Sequence, residues 1–221
     1  MSPPALLFDL DGTLVDSAMG IAVALSVVAA ARGGGSIGPD RVRPLVSRGV
    51  VELVAGALGP LAGDSAADVH AFRAALAEVS ADPGVIFPGV VSALEQFGGM
   101  GMPMAVVTNK PEHLARRLLR DLGLTAYFQA IVGGDTLAIA KPDPAPLRHA
   151  LAAIGGHSCE ALMIGDSAVD AQAAAAAGLP FVLYEGGYGA GECAGHDVAH
   201  RFSSFEALIE VIERSSKTRA A

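Results

Sequence analysis

Five short runs of uninterrupted apolar residues constrain this chain more than any other feature. They are Ala5-Leu6-Leu7-Phe8, Met104-Ala105-Val106-Val107, Ala130-Ile131-Val132, Ala161-Leu162-Met163-Ile164 and Phe181-Val182-Leu183-Tyr184. A strand with one face in water alternates apolar and polar side chains, whereas a strand covered on both faces has no reason to alternate. Runs this short, separated by helical patterns, read as the strands of a parallel sheet. Residues 111–122 carry Leu114, Leu118 and Leu122 on one helical face, with Arg116, Arg117, Arg120 and Asp121 around them. Pro111 suits the first turn of that helix and Gly123 its end. Residues 168–177 form an alanine-rich helix that stops at Gly178-Leu179-Pro180, and residues 205–212 form the last helix.

The expected architecture is an α/β fold, a doubly wound, mainly parallel Rossmann-like sheet. One stretch breaks the alternation. Residues 17–87 read as helices alone, over 19–31, 41–58 and 66–80, with Ser47-Arg48-Gly49 lying between helical patterns in the second. Gly33-Gly34-Gly35 and Gly59-Pro60 punctuate the stretch, and the pairs Pro83-Gly84 and Pro88-Gly89 mark its return. The expected organisation is a core of residues 1–16 and 88–221, with a helical cap of residues 17–87 inserted after the first strand.

Composition narrows the function. A chain of 221 residues with 52% hydrophobic and 17% charged residues can build a full core. A net charge of -8 repels polyanions, so no nucleic-acid partner is expected. The N-terminus lacks the basic segment of a signal peptide, and the longest uncharged run, residues 17–31, is shorter than the ~20 residues of a membrane span. Cys159 and Cys193 have neither metal-binding nor redox spacing and read as reduced thiols. A cytoplasmic protein, monomer or homodimer, with no membrane partner is the expectation.

Four segments at strand ends carry chemistry. In Phe8-Asp9-Leu10-Asp11-Gly12-Thr13, two carboxylates two residues apart point to one side of an extended segment, and Gly12 permits a tight departure. Asp-Gly is also a common turn pair. In Val107-Thr108-Asn109-Lys110, the Thr108 hydroxyl and the first N–H groups of the following helix can hold phosphate oxygens, or Thr108 can simply cap that helix. Lys141 in Lys141-Pro142-Asp143-Pro144 is one of only three lysines, a candidate anion clamp or a surface cation. Asp166 ends a strand in Gly165-Asp166-Ser167-Ala168-Val169-Asp170, with Asp170 one helical turn beyond. Carboxylates converging from two strands suit Mg²⁺, a hard cation that takes oxygen ligands. Asp166 as a plain helix cap is the bland reading.

Taken in order, DLDGTLVDS, VVTNK, KPDP and GDSAVD resemble the four motifs of the haloacid dehalogenase superfamily of phosphatases. VTNKPE, KPDPAPL and the cap segment RPLVSRGVVELV are most similar to its phosphoglycolate phosphatase group. The resemblance implies that Asp9 attacks phosphorus and carries the phosphoryl group, and that Asp11 protonates the leaving alcohol and then activates water. It implies that Thr108, Asn109 and Lys141 bind the substrate. Asp9, the Asp11 carbonyl and Asp166 would hold Mg²⁺, with Gly12 and Asp170 supporting. The substrate would be a small phosphorylated metabolite, foremost 2-phosphoglycolate, whose carboxylate Arg48 could read. Another sugar phosphate, as substrate of a phosphatase or phosphomutase, is the alternative, and a non-catalytic binding protein a further one. Residues 14–88 contain no lysine. Phosphonate-cleaving and mutase relatives use a cap lysine, so both activities are disfavoured.

Overall fold

The computed structural model describes residues 3–155 and 161–220, with side chains through residue 214. Cys159 and His157 lie outside the described residues. The chain divides into two compact units, Asp16–Val85 and the combination of Met1–Val15 with Ile86–Ala221.

The smaller unit is helical. It holds α1 (Ala18–Ala30), α2 (Pro39–Val46), α3 (Val50–Leu58) and α4 (Ser65–Glu78). The single helix expected over 41–58 is in fact two. Ser47 ends α2, and Gly49 stands before α3 at φ 90°, a conformation that residues with a Cβ avoid and that breaks the helical path. An ion pair between the exposed Arg32 and the buried Asp68 joins two parts of this unit. Asp68 on α4 accepts from the Arg32 guanidinium and from the Gly63 N–H at 2.7 Å.

The larger unit is built on a six-stranded sheet. Its strands are β1 (Ala5–Phe8), β2 (Met104–Val107), β3 (Ala130–Val132), β4 (Ala161–Gly165), β5 (Phe181–Tyr184) and β6 (His200–Phe202). All neighbours are parallel, in the order β3-β2-β1-β4-β5-β6. The helices of this unit are α5 (Val90–Gly99), α6 (Glu112–Asp121), α7 (Ala145–Ala153), α8 (Ala168–Ala177) and α9 (Phe205–Ala220). Leu7, Val107, Met163 and Leu183 pack in one cluster with Leu147 and Leu151 of α7 and Ala171 and Ala174 of α8. The next residue of β1, Phe8, turns to the opposite face, where its ring lies 6.4 Å from Phe97 of α5 and 6.2 Å from Phe128. Both faces of the sheet are covered, which is why the strands are apolar without alternation. Fully burying each such side chain contributes about 1.5–3 kcal/mol.

Several elements depart from expectation. Strand β6 and helices α5 and α7 had no distinct place in the sequence reading. Strand β6 is an edge strand with only Phe202 buried, and it is anchored by Tyr184 and Phe205 at centroid distances of 5.0 and 5.4 Å. Pro111 precedes α6 rather than occupying its first turn. The last helix runs eight residues further than the expected stop at 212. Among the described residues no single helix is long and apolar enough to cross a membrane.

Candidate active site

Strand order decides where the site forms. β1 is flanked by β2 on one side and β4 on the other, so the chain's path reverses direction across the sheet between β1 and β4. In open parallel sheets this reversal leaves a crevice at the carboxyl ends of the strands. Asp9 follows β1 directly, Thr108 follows β2 directly and Asp166 follows β4 directly. Asp9 N–H bonds to the Ile164 carbonyl at 2.9 Å and Thr108 N–H to the Val132 carbonyl at 2.9 Å, so the sheet itself fixes both positions.

Lys141 lies at the centre of the buried acids. Its ammonium donates to Asp9 Oδ1 at 2.9 Å, to Asp170 Oδ1 at 2.7 Å and to the Val107 carbonyl at 2.7 Å. Those contacts occupy all three of its protons. Its side chain is 2% exposed. Burial by itself would lower its pKa, but Asp170 and Asp9 outweigh burial and raise it, so the group stays a cation. Asp170 is held in turn from α8. Ser167 Oγ donates to Asp170 Oδ2 at 2.7 Å, and the pair forms a capping box at the start of the helix. The cap of α8 is therefore Ser167, not Asp166.

Asp166 is held instead by residues outside α8. Its Oδ1 accepts from the Thr13 hydroxyl at 3.0 Å, and its Oδ2 from the N–H groups of Tyr188 at 2.7 Å and Gly189 at 3.3 Å. Two glycines make room for it. A Cβ on Gly12, whose φ is 90°, would stand 2.5 Å from Asp166 Oδ2, and one on Gly187 would stand 2.2 Å from Asp166 Cβ. Thr13 was missed as part of the site, and Gly186-Gly187-Tyr188-Gly189, which reads from the sequence as a crevice rim or a plain loop, supplies two of the N–H donors to Asp166. Backbone N–H donors leave no trace in a sequence beyond the glycines that let them approach.

Carboxylate oxygens of Asp9, Asp166 and Asp170 lie within 4.8 Å of one another. Burial raises the Asp9 pKa well above the usual carboxylate range; Lys141 pulls it back, while Asp170 and Asp166 push it further up. Burial and then Asp170 raise Asp166, against the Tyr188 N–H, the Thr13 hydroxyl and the Gly189 N–H. A desolvated group of acids with one ammonium among them is short of positive charge. The donor set is all hard oxygen, which fits a divalent cation of the Mg²⁺ or Ca²⁺ type better than a thiolate-seeking one. Asp9 Oδ2 accepts no hydrogen bond among the described residues, in contrast to both oxygens of Asp166 and Asp170.

The segment after β2 divides its work. Thr108 is buried, and its hydroxyl accepts from the Lys110 N–H at 3.2 Å rather than capping α6. The first N–H of α6, on Glu112, is taken by Asp135 Oδ1 at 2.7 Å, so it is not offered to an anion as expected. Asn109, expected to touch substrate, braces the Lys141 backbone from both sides, donating to its carbonyl at 2.9 Å and accepting its N–H at 3.0 Å. Lys110 reaches Asp11, with Nζ 3.0 Å from each carboxylate oxygen. That contact was not foreseen. Arg48 belongs to the helical unit, between α2 and α3.

The chain is similar to known proteins over most of its length. The profile of the haloacid dehalogenase-like hydrolase family matches residues 3–178. The chain is 39% identical over 214 residues to a phosphoglycolate phosphatase from Rhodobacter capsulatus, covering 95% of this chain and 97% of that protein. It is 40% identical over 196 residues to a phosphoglycolate phosphatase from Rhodospirillum rubrum, covering 84% and 81%. A solved structure of a putative haloacid dehalogenase-like hydrolase from Bacteroides fragilis superposes with a TM-score of 0.79 at 27% identity, over 94% of this chain and all of that one.

Proposed function

The chain belongs to the haloacid dehalogenase-like hydrolase family and is a phosphoric monoester hydrolase, and on that premise we propose that it cleaves 2-phosphoglycolate through a phosphorylated Asp9 with Mg²⁺ as cofactor. The observation that carries this reading is the Asp9 carboxylate. One oxygen is tied to Lys141, the other accepts no hydrogen bond among the described residues, and both lie in a buried acidic cluster short of positive charge.

In the proposed reaction Asp9 Oδ2 attacks phosphorus and the ester P–O bond breaks. The electron pair leaves with the alkoxide oxygen, which takes a proton from the Asp11 carboxyl. Asp11, now a carboxylate, removes a proton from water. The water oxygen attacks phosphorus, and the P–O bond to Asp9 breaks to release inorganic phosphate. Splitting the displacement in two lowers each barrier, and most of the remaining work is placing positive charge near the phosphoryl oxygens. Lys141 supplies part of that charge, and the Thr108 hydroxyl is the proposed donor to a phosphoryl oxygen. Mg²⁺, held by Asp9, the Asp11 carbonyl and Asp166 when bound, would neutralise the carboxylate–phosphate repulsion that otherwise blocks approach. Asp170 keeps Lys141 in place. The helical unit, residues 17–87 in the sequence reading, is the proposed cap, with Arg48 the proposed reader of the substrate carboxylate.

The two bacterial phosphoglycolate phosphatases and the motif resemblance support 2-phosphoglycolate as the substrate. A panel of phosphate esters scored for released phosphate, with Mg²⁺ and with chelator, tests it. The expected result is Mg²⁺-dependent release with the highest kcat/KM for 2-phosphoglycolate. Higher kcat/KM for a sugar phosphate would replace the substrate. An isomeric sugar phosphate in place of free phosphate would replace the reaction.

A further inference from the structure

The two lysines of the crevice have different tasks. Lys141 spends its three protons on three acceptors from three segments. Lys110 gives both of its contacts to one group, lying 3.0 Å from Asp11 Oδ1 and 3.0 Å from Asp11 Oδ2. An ammonium set equally between two carboxylate oxygens fixes the carboxylate's rotation as well as its location, which a contact to a single oxygen would not do. Solvent competes little here, since the Lys110 and Asp11 side chains are 7% and 11% exposed. The lysine is itself anchored at its backbone, by the Thr108 hydroxyl at its N–H and by the Gly134 N–H at its carbonyl, 2.9 Å away. A flexible side chain is thus launched from a fixed point toward an acid 99 residues away in sequence.

We propose that Lys110 is a positioning residue that holds the Asp11 carboxylate in the rotation its proton transfers require. The inference rests on the reading of Asp11 as the proton-transferring group. Both half-reactions depend on Asp11, but not equally for every substrate. An alkyl ester such as 2-phosphoglycolate needs a proton on its leaving oxygen. p-Nitrophenolate is stable enough to leave without one. Hydrolysis of the phosphorylated aspartate needs Asp11 whatever the substrate was.

The test compares wild type, Lys110→Met, Lys110→Arg and Asp11→Asn on 2-phosphoglycolate and p-nitrophenyl phosphate, in steady state and in rapid mixing, with melting curves to confirm folding. With Lys110→Met, kcat for 2-phosphoglycolate should fall about 10²-fold, the low end for loss of acid–base catalysis, while KM stays within about threefold. With p-nitrophenyl phosphate the first equivalent of nitrophenolate should appear at the wild-type rate, followed by a slowed steady state. Lys110→Arg should restore most of kcat, since a guanidinium can also engage both oxygens. Three results would overturn the inference: a rise in KM for 2-phosphoglycolate at constant kcat, which would make Lys110 a substrate contact; equal slowing of the first turnover and the steady state; or no change. The underlying reading fails differently. In that case Asp11→Asn would keep full activity, or the wild type would hydrolyse neither ester.

Discussion

Two buried acids, one in each unit, show how a carboxylate whose charge is matched differs from one whose charge is not. Asp68 in the helical unit and Asp166 beside the sheet are 3% and 1% exposed, and each accepts a backbone N–H at 2.7 Å. Asp68 also meets a full positive charge. Hydrogen bonding to Arg32 lowers its pKa, so its charge is matched within its own unit. Asp166 meets only dipoles, from Thr13, Tyr188 and Gly189, and it has the Asp170 carboxylate nearby; its pKa rises. Burial is therefore not the signature of a site. Burial without a matching charge is.

The comparison can be broken most directly by neutralising each acid in turn. Asp166→Asn should lower kcat by several orders of magnitude and abolish the rise in melting temperature expected of the wild type with Mg²⁺, because the proposed cation site would lose a ligand. Asp68→Asn should lower the melting temperature and leave kcat and the Mg²⁺ response unchanged. If Asp68→Asn impaired catalysis as strongly as Asp166→Asn, the distinction would be lost. Thr13→Val sharpens the same contrast at smaller scale. It removes the donor at Asp166 Oδ1, and metal affinity or activity should fall about 10–100-fold in a magnesium titration of phosphate release.

The smallest expected effect concerns pH. Burial, against the pull of Lys141 and with the push of Asp170 and Asp166, raises Asp9 to about 8, and burial with Asp170 raises Asp166 to about 7, so below those values the acidic cluster without its cation holds protons that a cation must displace. Apparent Mg²⁺ affinity should therefore rise with pH up to about 8 and then level off. The gain is at most about tenfold per pH unit for each proton displaced. Titrating thermal stabilisation against Mg²⁺ across that range checks the sign. An affinity that falls with rising pH would contradict the ligand assignment.

The sequence exposes some of this design and hides the rest for physical reasons. Strands β1 to β5 are legible because burial on both faces forces continuous apolar runs. Strand β6 is not, since two of its three residues are exposed and its anchor is the aromatic contact of Phe202. Asp9, Thr108, Lys141 and Asp166 stand out because each lies at or near a strand end or a proline-marked turn. Local spacing cannot disclose the Lys110–Asp11 pair or the Thr13–Asp166 bond, which join residues 99 and 153 positions apart. Scarcity offered one clue. With three lysines in the chain, two of them inside motif segments, Lys110 merited the same attention as Lys141.

The most direct measurement is a search for the phosphoryl group on the protein. Wild-type enzyme mixed with 2-phosphoglycolate and Mg²⁺, quenched in acid during turnover and mapped by mass spectrometry, should carry phosphate on the peptide containing Asp9. Asp9→Asn, folded by its melting curve, should carry none and release no phosphate. Phosphate on a different residue, or an active Asp9→Asn enzyme, would contradict the account.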